Sequence, residues 1–381
     1  MTNEELLAKA QALIAIESTA HNPDGLREAY NFMLAFVREH GKDLRIEEFE
    51  SGDKPSFLAY RGPQRPEKFH LIFNGHVDVV PGKSEQYKPF IKDGKLYGRG
   101  AYDMKAACIV MADVFCEFAD KVPFALGLQI VTDEETTGKH GTSYQVLDKG
   151  VRSEFVICGE CGRALGTYDI GNSAKGTIVA EIGLRGKSSH GAYPWEGENA
   201  AVRASSFIDA LHRRYPVPDE ITHGSTVTVT AVTAVGHSHT MTPDQAVIKL
   251  NVRFVPDDPV LSSEEKFATF IEELDPQAEI LTLHDFSSPF YTDPDNPQLR
   301  NLKAAAETVE SHEFKFLQRH GTGDGRFYGT VGNPACEFGI PGMHKHAENE
   351  YIPVEGFENY RAALRLFLQR EAAAAQSAPT K

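Results

Sequence analysis

The stretch that decides the fold is FHLIFNGHVDVVPG, residues 69–82. Phe69–Phe73 is a short apolar run that ends in an Asn-Gly turn dipeptide, a pattern typical of a buried strand. His76 and Asp78 follow directly, at the carboxyl end of the predicted strand. Open α/β sheets bind their ligands at this edge. The stretch therefore predicts a sheet with a histidine and a carboxylate at its ligand-binding edge.

The next motif, KLYGRGAYDMK at residues 95–105, adds a second carboxylate. Its Gly-Arg-Gly sequence allows a tight turn before Asp103. Residues 106–118 continue as an apolar run that predicts a helix. A lone H-x-D pair is more often a surface feature than a ligand pair, so the site depends on what the rest of the chain adds.

Two further buried strands are predicted, FALGLQIV at residues 124–131 and EFVIC at residues 154–158. Glu134 and Glu135 follow the first, and Glu160 follows the second. A Glu-Glu pair taken alone indicates a solvated acidic turn, but its position after a buried strand favours a site. With the late histidines of residues 344–346, the set offers one histidine and one carboxylate for each of two ions and a shared carboxylate.

The composition argues against several classes of function. The 381 residues are 41% hydrophobic and 24% charged, as in soluble globular proteins, and the length favours two domains. A formal net charge of -15 argues against nucleic acid or an anionic membrane as the partner. No apolar run approaches the roughly 20 residues that span a bilayer, and the first residues are amphipathic and acidic, unlike a signal peptide.

The five cysteines form no even, dense set, which predicts a reduced cytoplasmic protein without a disulfide framework. Cys158 and Cys161 make a single C-x-x-C. Without a second pair, this motif is more typical of two small thiols at a strand end than of a structural zinc site.

Strand and helix patterns alternate up to about residue 175, which predicts an α/β domain with a mostly parallel sheet and flanking helices. Residues 176–286 then show the order β-α-β-β-α-β of a ferredoxin-like unit. We therefore expect a catalytic domain of residues 1–175 and 287–381, with residues 176–286 inserted. A final helix is expected at residues 353–370, followed by a frayed end.

Taken together, the motifs resemble the zinc-dependent family of acetylornithine deacetylase, succinyl-diaminopimelate desuccinylase, aminoacylase and glutamate carboxypeptidase. The matching segments are NGHVDVVPG, YGRGAYDMK, TDEETTG, VICGE, RGKSSHGAYPWEGENAA, HGTGDGRF and HAENEY, and they extend over nearly the whole chain. The resemblance implies a zinc-peptidase-like catalytic domain and an inserted lid or dimerisation domain, hence a homodimer.

The resemblance also implies the metal ligands. One zinc ion would be held by His76, Asp103 and Glu160, and the other by Asp103, Glu135 and His346, with Asp103 as the bridge. His346 lies four residues before the glutamate of Asn349-Glu350, as the family pattern requires. His344 remains the alternative ligand. The same ligand set accepts Co²⁺ in place of Zn²⁺.

Other residues match the family's catalytic positions. Glu134 corresponds to the general base, and Asp78 would accept the second N–H of His76 and fix its tautomer. His190, in the inserted domain, corresponds to a histidine that stabilises the oxyanion across a dimer. Taken alone, His190 is more typical of an ordinary loop histidine.

Arg253 matches a position that pairs with the substrate carboxylate, a task that suits a planar bidentate donor. By its sequence alone it could equally be an arginine on the exposed face of a strand. Thr322, Gly323 and Arg326 in the glycine-rich HGTGDGRF segment offer further donors. A phosphate-binding loop is the rival interpretation, but the segment lacks G-K-[ST] and is predicted to open no helix.

Three features depart from the family pattern near places that select the substrate. Thr240 stands where relatives usually carry asparagine, Cys161 replaces the proline that commonly follows the metal-binding glutamate, and residues 343–346 contain an extra histidine. All three departures concern the substrate rather than the chemistry.

The sequence thus predicts a di-zinc amidohydrolase that cleaves the amide bond of a small N-acyl amino acid, of the acetylornithine deacetylase or succinyl-diaminopimelate desuccinylase type. A metallo-dipeptidase or carboxypeptidase of the same family is the alternative. A non-catalytic metal-binding protein on this fold would lack Glu134 or a ligand, and every expected position is filled.

Overall fold

The computed structural model describes residues 1–160 and 164–377. Before the insertion, the chain forms α1 (Asn3–Ile14), α2 (Pro23–His40), β1 (Leu44–Ser51), β2 (Lys54–Arg61), β3 (Phe69–His76), β4 (Phe90–Lys92), β5 (Lys95–Tyr97), α3 (Lys105–Phe118), β6 (Leu126–Val131), β7 (Ser153–Cys158) and β8 (Asp169–Ala174). The inserted segment forms β9 (Gly176–Arg185), α4 (Ala200–Arg214), β10 (Thr226–Thr233), β11 (Gln245–Phe254), α5 (Glu264–Leu274) and β12 (Glu279–Ser287). The chain ends with β13 (Phe290–Tyr291), α6 (Pro297–Glu310), β14 (Lys315–Arg319), α7 (Gly325–Thr330), β15 (Ala335–Glu337), β16 (Tyr351–Pro353) and α8 (Val354–Ser377).

These elements form two compact units. Unit 1 contains residues 1–173, 291–319 and 323–381, and unit 2 contains residues 174–290 and 320–322. The range 176–286, predicted as the inserted domain, falls within unit 2.

Unit 1 is built on a nine-stranded sheet with the order β1-β2-β6-β3-β7-β15-β8-β13, and β14 pairs with β8. The central pairs β6–β3, β3–β7 and β7–β15 are parallel, whereas β1–β2, β2–β6 and β15–β8 are antiparallel. The predicted α/β class is confirmed. The parallel centre matters for function because it brings the carboxyl ends of β6, β3 and β7 side by side.

The core of unit 1 lies between this sheet and its helices. Helix α3 is buried along nearly its whole length, since its Ala, Val, Ile and Met side chains leave no polar face. A predominantly apolar helix of this kind must be enclosed by other elements. It therefore fixes the position of the turn that precedes it, which carries Asp103.

Unit 2 has one four-stranded antiparallel sheet in the order β10-β11-β9-β12, with α4 and α5 packed on it. Together with the chain order β9-α4-β10-β11-α5-β12, this is the ferredoxin-like topology that was predicted. Strand β11 alternates between buried and more accessible residues, because one face of the sheet is covered by the helices.

Two local predictions were wrong. The final helix does not end at residue 370, since α8 continues to Ser377 and residues 371–377 are helical. Glu371 explains the extension because its carboxylate accepts a hydrogen bond from Asn301 Nδ2 at 2.5 Å and lies 2.9 Å from His70 Nε2. The glycine-rich segment does open a helix, the six-residue α7, because burial of Phe327 and Tyr328 overrides the low helix propensity of its glycines.

Within the described residues, no helix is both long enough and apolar enough to cross a bilayer.

Candidate metal centre

The predicted ligands gather at the carboxyl edge of the parallel strands. In the register of the sheet, His76 at the end of β3 pairs with Val131 at the end of β6, and Asn74 pairs with Cys158 at the end of β7. The residues that follow β6 and β7 therefore reach the same point as His76. They are Glu134, Glu135 and Glu160.

Asp103 lies between two histidines. Its Oδ1 is 3.2 Å from His76 Nε2, and its Oδ2 is 3.1 Å from His346 Nε2. Glu160 Oε1 lies 3.3 Å from His76 Nε2, and Glu135 Oε1 lies 3.0 Å from His346 Nε2. Each histidine thus has its own carboxylate, and Asp103 is shared by both.

This donor set fits bound metal ions. His76 Nε2 and Asp103 Oδ1 are buried and have no hydrogen-bond partner within the described residues, which is costly unless another group binds them. Two groups of three donors have their ligand atoms within 4.8 Å of one another: His76, Glu134 and Glu160, and His76, Asp103 and Glu135. Nitrogen and carboxylate oxygen are the donors that zinc accepts.

The position of His346 separates it from the alternative ligand. Its Nε2 faces Asp103 and Glu135, whereas the ring of His344 packs against Tyr351 with ring centroids 5.9 Å apart. Both histidines have positive φ angles, 64° for His344 and 62° for His346. The geometry favours His346 as the ligand.

Asp78 lies beside His76 and accepts hydrogen bonds from main-chain groups of the centre. His76 Nδ1 is 3.0 Å from the main-chain oxygen of Asp78 and 3.4 Å from its Oδ1. The Asp78 carboxylate also accepts the main-chain N–H groups of Glu134 at 3.3 Å and Glu135 at 2.9 Å. The shorter ring contact is thus to the carbonyl oxygen, and the carboxylate mainly fixes the turn that carries the two glutamates.

Glu350 is a site residue to which the sequence assigned no role. Its Oε1 accepts hydrogen bonds from the main-chain N–H groups of Gly100 at 2.9 Å, Tyr102 at 2.9 Å and Asp103 at 3.1 Å. Its Oε2 accepts from the Arg99 guanidinium at 2.5 Å. Glu350 therefore shapes the turn that presents Asp103.

Lys345 is a second residue that sequence analysis missed. Its Nζ lies 2.8 Å from Asp103 Oδ2 and 3.7 Å from Glu160 Oε2. Burial would raise the pKa of Asp103, but Lys345, His346 and His76 together hold it well below its usual range. In the sequence, the signal for a role of Lys345 was its position next to His346.

Two acids of this region, Glu134 and Glu337, are less readily ionised than usual. Burial, and next the charge of Glu160, raise the pKa of Glu134 well above its ordinary value. Glu337, at the end of β15, has its pKa raised to about 7 by burial and then by Glu160. A buried carboxyl whose pKa is raised is suited to accept and release a proton.

The remaining predicted site residues lie in both units. In unit 2, Arg253 Nη1 donates to Thr177 Oγ1 and, at 3.0 Å, to Thr322 Oγ1, while His190 Nδ1 accepts the N–H of Ala192 at 3.1 Å. In unit 1, Gly323 is packed so closely that an added Cβ would come within 2.7 Å of Glu337 Oε1.

Arg326 is only 6% exposed and lies on α7 in unit 1. Cys158 is buried with a free thiol, and Cys161 lies outside the described residues.

Residues 72–370 match the model of the peptidase family M20/M25/M40. The chain belongs to this family. It is 28% identical over 372 residues to the succinyl-diaminopimelate desuccinylase of Marinobacter nauticus, a match that covers 94% of this chain and 96% of the relative. It is 32% identical over 333 residues to the enzyme of the same name from Sulfurimonas denitrificans, covering 84% and 88%.

A solved M20 family metallo-carboxypeptidase from Sulfolobus solfataricus has the same fold, with a TM-score of 0.76 at 19% identity and coverage of 96% of this chain and 98% of that one. The family resemblance predicted from the motifs is confirmed. This M20 chain is a metal-dependent hydrolase of the amidohydrolase type, and its candidate metal-binding group is the cluster around Asp103.

Proposed function

We propose that the chain is a di-zinc amidohydrolase that removes the acyl group from a small N-acyl amino acid. A desuccinylase or deacetylase of a diamino acid is the preferred activity. The observation that carries the proposal is the shared Asp103 carboxylate between His76 and His346, with Glu134 Oε2 only 3.8 Å from His76 Nε2. The desuccinylase relatives, which align with most of the chain, support the choice of acyl group.

In this proposal, His76, Asp103 and Glu160 hold one zinc ion, and Asp103, Glu135 and His346 hold the other. Zinc bound there would polarise the amide carbonyl and acidify the attacking water. Asp78 orients His76 and the Glu134–Glu135 turn through its hydrogen bonds.

Glu134 moves the proton. Its carboxylate takes a proton from the water as the new C–O bond forms, and it delivers that proton to the nitrogen as the C–N bond breaks. The products are a carboxylate and a free amine. Burial of Glu134 favours this role because a desolvated carboxylate binds a proton more readily than a solvated one.

Further residues are proposed to contact the substrate. Arg253 is proposed to pair with the substrate carboxylate, with Thr322 and Gly323 as further donors, and His190 to stabilise the oxyanion. A guanidinium already oriented by Thr177 and Thr322 loses little freedom on binding a carboxylate.

We further propose a homodimer formed through unit 2. Strand β10 lies at an edge of the antiparallel sheet, and an edge strand is a template for pairing with a second copy. Sedimentation of the purified chain tests this point, since a monomer at micromolar concentration would contradict it.

The activity is tested by amine release from a panel of N-succinyl and N-acetyl amino acids and dipeptides, with added zinc. Turnover of an acyl amino acid that is abolished in Glu134→Ala supports the deacylase. Turnover of dipeptides alone would favour the metallo-dipeptidase or carboxypeptidase alternative. Two zinc ions per chain with no turnover of any of these compounds would contradict the proposal.

A further inference from the structure

Arg326 lies against the turn that carries Glu134. Its Nη1 is 4.0 Å from Glu134 Oε1, and its Nη2 donates a hydrogen bond to the main-chain oxygen of Thr137 at 2.8 Å. With only 6% of the residue exposed, its guanidinium is directed into unit 1. The side chain therefore contacts the turn at two points, three residues apart.

Gly138 shows how closely α7 packs on this turn. It has a φ of +66°, and a Cβ added there would come within 2.7 Å of Phe327, 2.9 Å of Asp324 Oδ1 and 3.0 Å of Arg326 Nη2. A side chain at this position would meet both steric contact and backbone strain. The Glu134 turn and the start of α7 are thus in direct contact.

A buried hydrogen-bond chain fixes the start of α7 to the strand that carries His76. Asn74 Nδ2 donates to Thr142 Oγ1 at 3.0 Å, and the Thr142 hydroxyl donates to Asp324 Oδ2 at 2.5 Å. All three side chains are at most 2% exposed. Because each of these donors already has an acceptor, the hydrogen-bond chain holds Asp324, and with it the start of α7, in one place.

The charges around Arg326 also indicate a structural partner rather than an anionic ligand. The Arg326 guanidinium has the carboxylate of Glu134 on one side, and Asp324 lies next to it across Gly138. A guanidinium that already faces carboxyl groups of its own unit contributes little additional attraction for a substrate carboxylate.

We propose that Arg326 is a positioning residue that holds the Glu134 carboxylate in its working orientation, instead of a contact of the substrate carboxylate. The inference rests on the proposed function, in which Glu134 is the general base. It assigns Arg253 the substrate carboxylate and leaves Arg326 to the proton-transfer step.

Steady-state kinetics of the zinc-loaded enzyme separate the two roles. In Arg326→Gln, we expect kcat on the best N-acyl amino acid to fall about 100-fold, since displacing a catalytic group by about 1 Å has that effect. KM should change less than about threefold, because the ground-state contacts of the substrate remain. A KM raised tenfold or more, with kcat within twofold of wild type, would overturn the proposal.

Thr142→Val provides a second variant of nearly the same volume. It removes the hydroxyl that joins Asn74 to Asp324, and we expect a kcat decrease of about tenfold with KM unchanged and restoration by Thr142→Ser. Arg300→Gln is the matched control, since Arg300 pairs with Asp295 at the exposed start of α6. Retention of wild-type kcat in Thr142→Val would count against the positioning chain.

Hydrogen exchange gives a readout that does not depend on turnover. Arg326→Gln should speed amide exchange at residues 134–138 at least tenfold and leave β3 and β7 as in wild type. If wild type turned over no acyl amino acid, the proposed function would fail, whereas exchange would still test the placement of Arg326. Unchanged exchange at residues 134–138 would overturn it.

Discussion

The Arg99 guanidinium donates to the Glu350 carboxylate at 2.5 Å, and both residues are almost fully buried, at 3% and 1% exposed. The two residues are 251 positions apart in the chain. Since Glu350 also accepts three main-chain N–H groups of the Asp103 turn, this ion pair joins the two segments that present Asp103 and His346.

Replacing Glu350 by glutamine should therefore damage both stability and metal binding. Breaking a buried ion pair leaves an uncompensated charge, at a cost of about 3–5 kcal/mol. We expect Glu350→Gln to lower the melting temperature by several degrees and to reduce the zinc content per chain. Glu348→Gln is the control, because Glu348 pairs with Lys83 on the surface. Equal melting temperatures for the two variants would contradict the role of Glu350.

The two neighbouring histidines give a paired test of the ligand assignment. Changing outer contacts of a metal ligand costs 10–100-fold in affinity, so removing a ligand should cost at least about 100-fold. We expect His346→Gln to lose one of the two proposed zinc ions and His344→Gln to retain both, as measured by metal analysis after dialysis. Loss of zinc in His344→Gln alone would make His344 the ligand.

Removing the metal should destabilise unit 1 as well as abolish activity. A ligand present at about 1,000 times its dissociation constant stabilises the folded state by about 4 kcal/mol. A chelator should therefore lower the melting temperature, and zinc should restore it. His76→Asn should show the lower temperature with or without chelator. A chelator effect of equal size in His76→Asn would refute the assignment of this residue.

The His70 cluster predicts a pH-dependent contribution to stability. Burial lowers the pKa of His70, but hydrogen bonds to Glu371 and Glu154 outweigh it and raise the pKa above its usual value. The stabilisation is complete below about pH 6.5 and is lost as the pH rises through the folded-state pKa. His70→Gln should thus destabilise more at pH 6 than at pH 9, by up to about 1 kcal/mol given partial exposure. Urea unfolding at both pH values measures this, with exposed His21→Gln as control, and equal losses at both would contradict it.

Gly75, immediately before His76, lies where the structure leaves little room for a side chain, so we expect a larger residue there to lower stability. An added Cβ would lie 2.7 Å from Cys108 Sγ, 2.8 Å from Met111 and 2.9 Å from Met104. Overpacking a buried site costs about 1–3 kcal/mol. Gly75→Ala should lower stability in urea by that amount, whereas Gly321→Ala, where an added Cβ meets no atom within 4 Å, should not. A Gly75→Ala chain as stable as wild type would show that α3 yields at this point.

The strands of the centre could be predicted because they are largely buried. β3, β6 and β7 each contain a short, mostly apolar run, and the position of their polar ends follows from parallel pairing alone. β8 could not be found in this way. Its sequence DIGNSA is polar, yet it is buried because it lies within the sheet beside β15 and β14. The formation and burial of β8 depend on its tertiary position, which the local sequence pattern does not contain.

The same contrast holds in the site. Glu134, Glu135 and Glu160 could be singled out, with His76, because each follows or ends a predicted buried strand, whereas Asp103 and His346 were implied by the family resemblance. Glu350 could not be singled out, since its role depends on Arg99 and on main-chain groups far away in sequence. Arg326 was expected to meet substrate because its glycine-rich surroundings suggested an open loop. In the structure, Arg326 lies on α7, a helix that was not predicted. Its side chain contacts the Glu134 turn.

The contact between Asp103 and His346 spans 243 positions. A ribosome adds about 5–20 residues per second, so roughly 12–50 s separate the synthesis of the two side chains. During that interval, the nascent chain presents the early acidic residues without the segment that completes the centre. Any metal acquired on the ribosome would therefore be held by a partial ligand set. The proposed set of ligands can be complete only after His346 has been synthesised.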